Sequence, residues 1–183
     1  DRSVSRGLGD VYKRQKERSR LPEEVPESIL SSQFVLATIH RAENTDDQNR
    51  MTNIVAALNK IHKEVPVVLP LHPRTNKKLE QLNLNLNVHT ISPVGYLEMV
   101  HLLEHCQSVM TDSGGLQKEA FFFQKPCVTL RDETEWVELI ENDYNVLAGA
   151  CEQTILSCYS KMKDKIIPKN ESLYGDGRSA ESI

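Results

Sequence analysis

The chain predicts a parallel α/β sheet with helices on both faces, and two observations carry that expectation. From Phe34 onward, compact apolar runs alternate regularly with stretches of helical periodicity. The polar clusters of chemical interest each follow directly on one of those runs, the place where such sheets bind ligands. Strands are expected at Phe34–Thr38, Val67–Leu71, Val88–Ile91, Ser108–Thr111, Cys127–Leu130 and Asn145–Ala148.

The helices between them have their own signals. After the first strand a polar loop leads to a capping box, Thr45 with Gln48, and then to a helix. Met51, Ile54, Val55, Leu58 and Ile61 recur along it at helical spacing and form its buried face. Thr75–Leu82 is a short polar helix, and Tyr96–His105 is one with Leu97, Val100 and Leu103 turned inward. A helix runs from the glycine turn at Gly114 to Phe123, another covers Trp136–Glu141, and a last one lies near Glu152–Lys163.

Bulk properties narrow the function classes. At 183 residues the chain can bury one core, so a single domain is the default. A net charge of −4 with both signs interspersed argues against nucleic acid or an anionic membrane as the main partner, while leaving room for a local phosphate pocket. No apolar run approaches the roughly 20 residues that span a bilayer, and the start has no signal-peptide pattern. Cys106, Cys127, Cys151 and Cys158 show no C-x-x-C spacing and read as reduced thiols of a cytoplasmic protein.

The ends read differently from the middle. Residues 1–15 fit no element and resemble the broken ends of translated gene fragments, so they are expected to lie outside the fold. Residues 16–33, with Pro22 and Pro26, read as a linker or a short helix entering the domain. The domain itself is placed at 34–183, closing on Tyr174-Gly-Asp-Gly177 and the first turn of a helix that is cut off.

The most informative run is Ser108 to Ala120, a buried strand that passes through Gly114 and Gly115 straight into a helix. Free amides at a helix N-terminus and the helix dipole together favour an anion there. Ser113 adds a hydroxyl, and Glu119 stands just over a turn further on. That combination suits a nucleotide, with pyrophosphate at the amides and ribose hydroxyls at the carboxylate. The alternative is a tight strand–helix turn with an N-cap serine and a solvated glutamate.

Three further clusters follow strands. In Thr38-Ile-His-Arg-Ala-Glu-Asn44, His40 beside Arg41 would face a phosphate, with Glu43 orienting the imidazole or pairing with Arg41. Otherwise the loop is held by an ordinary ion pair and His40 is a bystander. His72 and Arg74 lie beyond the second strand, where Pro73 also suits a plain helix start. Arg131-Asp-Glu-Thr-Glu-Trp136 is acid-rich and suits either sugar hydroxyls or helix capping. No hydrolytic triad is legible. His101-Leu-Leu-Glu-His105 matches a zinc-peptidase pattern, but it lacks a compelling third ligand, and no metal or cofactor is expected.

In order and spacing these clusters resemble the C-terminal half of the non-hydrolysing UDP-N-acetylglucosamine 2-epimerases. The resemblance runs from about Phe34 to the end and rests on five runs. They are Thr38-Ile-His-Arg-Ala-Glu-Asn-Thr-Asp46, Leu71-His-Pro73, Thr111-Asp-Ser-Gly-Gly-Leu-Gln-Lys-Glu-Ala120, Arg131-Asp-Glu-Thr-Glu-Trp-Val-Glu138 and Tyr174-Gly-Asp-Gly177. It implies one Rossmann-like half of the glycosyltransferase-B architecture, in which two such domains close on a nucleotide sugar. It also implies a UDP-sugar partner gripped by Ser113, Gly114, Gly115, Glu119 and Arg131, with His40 stabilising the UDP leaving group. The family's proposed acid and base carboxylates lie mostly in the N-terminal half, so this piece is expected to bind rather than turn over. The full-length enzyme is a candidate homodimer.

Two departures bear on detail. Many bacterial members carry a second arginine where this chain has Ala42, and they use that loop with a histidine matching His72 to hold an activating UDP-sugar. Here that second site would rest on His72 and Arg41. The Arg131–Glu138 run also occurs in relatives acting on diacetamido-uronic acid nucleotides, which leaves the sugar open. A glycosyltransferase of the same architecture and a non-catalytic nucleotide-sugar sensor are the competing readings. The first would have no need of the His40–Asn44 run.

Overall fold

The computed structural model describes residues 24–169 and 173–174. The expectations for residues 1–15, for the first part of the lead-in (16–23) and for the closing turn at 175–183 lie outside that range, while residues 24–33 of the lead-in are described.

The elements in chain order are α1 (Glu27–Leu30), β1 (Val35–Thr38), α2 (Ala42–Thr45), α3 (Gln48–His62), β2 (Val67–Pro70), α4 (Pro73–Gln81) and β3 (His89–Ile91). Then come α5 (Tyr96–His105), β4 (Ser108–Thr111), α6 (Gly114–Phe122), β5 (Cys127–Thr129), α7 (Val137–Glu141), β6 (Asn145–Leu147) and α8 (Glu152–Met162). The six strands form one sheet in the order β3-β2-β1-β4-β5-β6. Every pairing is parallel, with Val35 opposite both Val67 and Ser108.

The strands read as unbroken apolar runs because both their faces are covered. Val35, Ala37, Val67, Leu69 and Met110 face one core, packed by Met51, Ile54 and Leu58 of α3 and by Ile155, Tyr159 and Met162 of α8. Leu36, Val68 and Val109 face the other, packed by Val100 and Leu103 of α5 and Leu116 and Ala120 of α6. Each of the fully buried Ile and Leu side chains contributes about 1.5–3 kcal/mol of transfer free energy. A third, aromatic cluster of Phe121, Trp136, Tyr144 and Tyr174 closes the β6 side.

Several sequence expectations are corrected at element ends. The α3 helix is capped by Asp47, which accepts from the Arg50 amide at 2.9 Å. Thr45 instead ends the separate short helix α2, its hydroxyl donating to the Arg41 carbonyl at 3.2 Å. The loop carries this extra helical turn because two of its residues, Asn44 and Thr45, are buried rather than solvated. Leu97, expected inside, is 36% exposed, and Leu102 takes its place in the core of α5. Pro73 is the first residue of α4 and His72 is its cap, so that helix starts earlier than the polar run suggested.

Three helices stop by one device. Asn83, Gln124 and Asp143 adopt φ of 55°, 57° and 57° just past α4, α6 and α7. The amide after each reaches back five residues, as in Leu84 to the Leu79 carbonyl, Lys125 to Ala120 and Tyr144 to Leu139. None is glycine, so these stops carry no sequence signature beyond the single asparagine.

Candidate functional site

The strand order reverses direction between β1 and β4, and a crevice opens there beyond the carboxyl ends of the strands. Its floor is organised by Asp112, which is fully buried between β4 and the glycine turn. Asp112 accepts from the backbone amides of His40 (3.1 Å) and Arg41 (2.9 Å) and from Asn44 Nδ2 (3.1 Å). His40 Nδ1 lies 3.2 Å from Asp112 Oδ1. One carboxylate thus ties the loop after β1 to the loop after β4 and turns the His40 ring so that Nε2 is the nitrogen left for a ligand. The Thr38 and Thr111 hydroxyls, 2.6 Å apart, join the two strand tips just beneath.

Asn44 extends this network sideways. Its Nδ2 also donates to the Leu130 carbonyl at 2.9 Å, and its Oδ1 accepts from Arg50 Nε at 3.0 Å. Arg50 in turn meets Asp132 at 2.8 Å, so the ends of β1, β4 and β5 are bound into one rim.

A cavity of about 340 Å³ sits on this floor, lined among others by His40, His72, Val94, Met99, Ser113, Gly115 and Glu119. Ser113 caps α6, its hydroxyl accepting from the Leu116 amide at 3.4 Å. The Gly114 and Gly115 amides that open the helix have no intrahelical acceptor, and the helix dipole adds partial positive charge where they point. A Cβ on Gly115 would meet nothing nearer than the Ser113 hydroxyl at 3.9 Å, so this position opens onto space. Glu119 stands on the same helix, and burial raises its carboxyl above the usual range. Amides at one end, a histidine above them and a half-buried carboxylate alongside can hold an anion and a hydroxyl-bearing group together.

A larger cleft of about 440 Å³ lies beside β3, between α4 and the segment of Asn83, Asn85 and Asn87. Among the described residues that line it, Glu80 is the only titratable one, and its side chain accepts from Asn76 Nδ2 on the same helix at 2.9 Å. The smaller cavity therefore carries the chemistry.

The structure brings together His40, His72, Ser113, Gly115 and Glu119, and places the other sequence candidates elsewhere. Arg131 is 7% exposed and held between Glu43 Oε1 (3.2 Å from Nε) and Glu135 Oε2 (2.8 Å from NH1). Glu43 therefore pairs with Arg131 rather than with Arg41 or His40. Gly114 faces Glu135, whose carboxylate occupies the space that a Cβ would need. Arg41 donates its amide to Asp112, and its positive charge lies near Glu135. His72 lines the cavity while its Nδ1 accepts from the Arg74 amide at 3.2 Å. Arg74 itself points to Asp46, 3.1 Å away.

The acid-rich run after β5 proves structural in most of its members. Asp132 takes Arg50 and Glu135 takes Arg131. The Thr134 hydroxyl donates to Gln117 at 2.6 Å, and Trp136 Nε1 donates to the Gly114 carbonyl at 2.7 Å, bracing the first turn of α6. Sequence reasoning quoted Asp112 and Asn44 without giving them roles. The available signal was a carboxylate set between an apolar strand and a glycine turn, which must find donors if it is buried.

The sequence model of the family described as UDP-N-acetylglucosamine 2-epimerase matches residues 8–183. The chain is 56% identical over 157 residues to the UDP-2,3-diacetamido-2,3-dideoxy-D-glucuronate 2-epimerase of Pseudomonas aeruginosa, covering 84% of this chain and 44% of that protein. It is 40% identical to a UDP-N-acetylglucosamine 2-epimerase of Methanococcus maripaludis, again over 84% of this chain and 44% of the relative. The crystal structure of the Methanocaldococcus jannaschii UDP-GlcNAc 2-epimerase in complex with UDP-GlcNAc and UDP superposes with a TM-score of 0.80 at 33% identity. That match covers 94% of this chain and 50% of the other. The chain spans about half the length of these relatives, and it belongs to the UDP-N-acetylglucosamine 2-epimerase family.

Proposed function

We propose that this chain is the UDP-binding half of a UDP-sugar 2-epimerase. The observation that carries this reading is the convergence of His40, Ser113, Gly115 and Glu119 on one cavity at the strand-order switch. The diphosphate lies at the α6 N-terminus, the ribose hydroxyls reach Glu119, and His40 Nε2 faces the diphosphate oxygen that leaves C1.

The reaction is an anti elimination followed by re-addition. A base removes the C2 proton, the C1–O bond breaks with its electron pair going to UDP, and a C1=C2 double bond forms in the 2-acetamidoglucal. UDP then adds back to C1 while C2 is protonated on the opposite face. Charge develops on the departing diphosphate, and the pre-aimed α6 amides and His40 meet it there. The carboxylates acting as acid and base come mostly from the other half of the enzyme. Arg131 supports the diphosphate side at one remove, by fixing Glu135 and Glu43. His72 and Arg41 would hold a second, activating UDP-sugar.

The first choice of sugar is UDP-N-acetylglucosamine, giving UDP-N-acetylmannosamine in the cytoplasm. The 56% identity to the Pseudomonas aeruginosa enzyme favours a second, the UDP-diacetamido-uronate. The working enzyme is proposed to be a homodimer.

Calorimetric titration of the chain with UDP and with ADP tests the binding claim. Saturable binding of UDP alone is expected, and Glu119→Ala should weaken it by about 1–3 kcal/mol, the range for losing a charge-assisted hydrogen bond. Failure of a folded chain to bind UDP, repeated with the full-length enzyme, would overturn the reading. Deuterium uptake at C2 in heavy water, followed for each UDP-sugar with the full-length enzyme, decides the substrate.

A further inference from the structure

His101-Leu-Leu-Glu-His105 fills the second half of α5 and lies outside the lining of the nucleotide cavity. The helix buries Leu102 and Leu103, while His101 and Glu104 are half-buried and His105 is exposed. Because α5 hands the chain to the start of β4, this cluster lies toward the amino ends of the strands, opposite the cavity at their carboxyl ends.

Spacing of three and four residues puts the three side chains on one helical face. One ligand atom from each lies within 4.8 Å of the others. The two imidazoles stack with centroids 4.2 Å apart and planes 25° from parallel. His105 Nδ1 is 2.8 Å from the His101 carbonyl, to which it donates, and this leaves the Nε2 lone pair as the free ligand. Metal-bound histidines characteristically give their other ring N–H to such a backbone carbonyl.

We propose that His101, Glu104 and His105 form a binding site for a divalent cation of the zinc class, with water completing the coordination. Two imidazole nitrogens and one carboxylate suit zinc, nickel or copper, whereas magnesium and calcium demand oxygen ligands. The sequence expectation of no metal rested on the place of this helix in a nucleotide-binding pattern and on the want of a further ligand; the proposal takes Glu104, within the motif itself, as the third ligand. Ligand atoms in a tetrahedral zinc site stand about 3.4 Å apart. A small side-chain rotation of the exposed His105 narrows the remaining gap. A cation held here clamps the last turn of α5.

The test is zinc titration of the 183-residue chain against a chromophoric chelator, with thermal unfolding followed in parallel. The chain should withdraw zinc stoichiometrically, release it to EDTA, and unfold at a higher temperature with zinc than without. Magnesium should do neither. Replacing His101 and His105 together by Asn should weaken zinc binding by about tenfold or more and abolish the thermal shift, and Glu104→Gln should weaken it less. On the unmutated chain, zinc should perturb the ring resonances of His101 and His105 before those of His40, His62, His72 or His89. Equal zinc binding by the double variant, perturbation of other histidines first, or no zinc binding at all would each overturn the proposal.

Discussion

Two neighbouring rims of the sheet hold the same kinds of residue and use them differently. At the ends of β1 and β4, His40, Ser113 and Glu119 face open space above a fully satisfied floor. At the end of β5, Arg131, Asp132 and Glu135 are each engaged by another side chain. Both clusters follow a parallel strand, and both looked like ligand sites. The difference is partners: a charged group is available to a ligand only where the fold has not already neutralised it. The β5 rim, tied down in this way, holds the β1 and β4 loops rigid through Arg50, Asn44 and Trp136.

The strongest way to break this division is at Asp112. Removing its carboxylate leaves the His40 and Arg41 amides without their acceptor and Asn44 Nδ2 with only the Leu130 carbonyl. Asp112→Ala should therefore cost about 3–5 kcal/mol, measured by urea denaturation. Asp112→Asn, which keeps one oxygen, should cost less and still lose nucleotide affinity. A mild effect of the alanine would mean that the floor is not what organises the rim.

The boundary between the rims runs through Gly114. A methyl group there displaces the Glu135 carboxylate, and Arg131, nearly buried, is left with Glu43 alone. Gly114→Ala should cost about 1–3 kcal/mol by overpacking. Adding Glu135→Ala vacates the space, so the two changes should be less than additive in a double-mutant cycle. Strict additivity would show that the methyl clashes with something else.

The contrast between rims also marks what a sequence can disclose. The α/β order, the strand-end clusters and most of the helix faces were legible, since periodicity and apolar runs record burial directly, though the inner face of α5 came out as Leu102 where Leu97 was expected. The buried face of α3 came out residue by residue, from Met51 to Ile61. Partner choice was not legible. Glu43 meets Arg131 across 88 residues of chain, and Asn44 reaches Leu130 across 86, pairings that only the closed sheet creates. Asp47 displaced Thr45 as the α3 cap for a related reason, because burial drew Thr45 into a turn of its own. The three αL helix stops were invisible for want of glycine.

A subtler probe separates binding from stability at Glu119. Burial raises its carboxyl, so the fold favours the protonated form. The stability tied to that proton is present below the ordinary carboxyl value and is lost as pH rises through the elevated one. Glu119→Gln removes the cost of the buried charge. The variant should match or exceed the parent in thermal midpoint at pH 7, with the gap closing toward pH 4, while its UDP affinity falls. A destabilised variant would place Glu119 with Glu135 among the structural carboxylates.

The smallest effect is expected beyond β2, where Arg74 was a sequence candidate beside His72. Its guanidinium reaches Asp46 at 3.1 Å on the exposed side of α4, and Lys78 meets the other oxygen at 2.9 Å. The Asp46 carboxyl is held below its usual value chiefly by Lys78, with Arg74 contributing less. Removing Arg74 therefore leaves the carboxylate its better partner, in water that screens the remaining pair. Arg74→Ala should leave both the thermal midpoint and the UDP affinity unchanged within error. His72 stands two residues away and lines the cavity, so a fall in UDP affinity would show that Arg74 swings inward on binding. The β2 loop would then belong to the open rim rather than to the tied one.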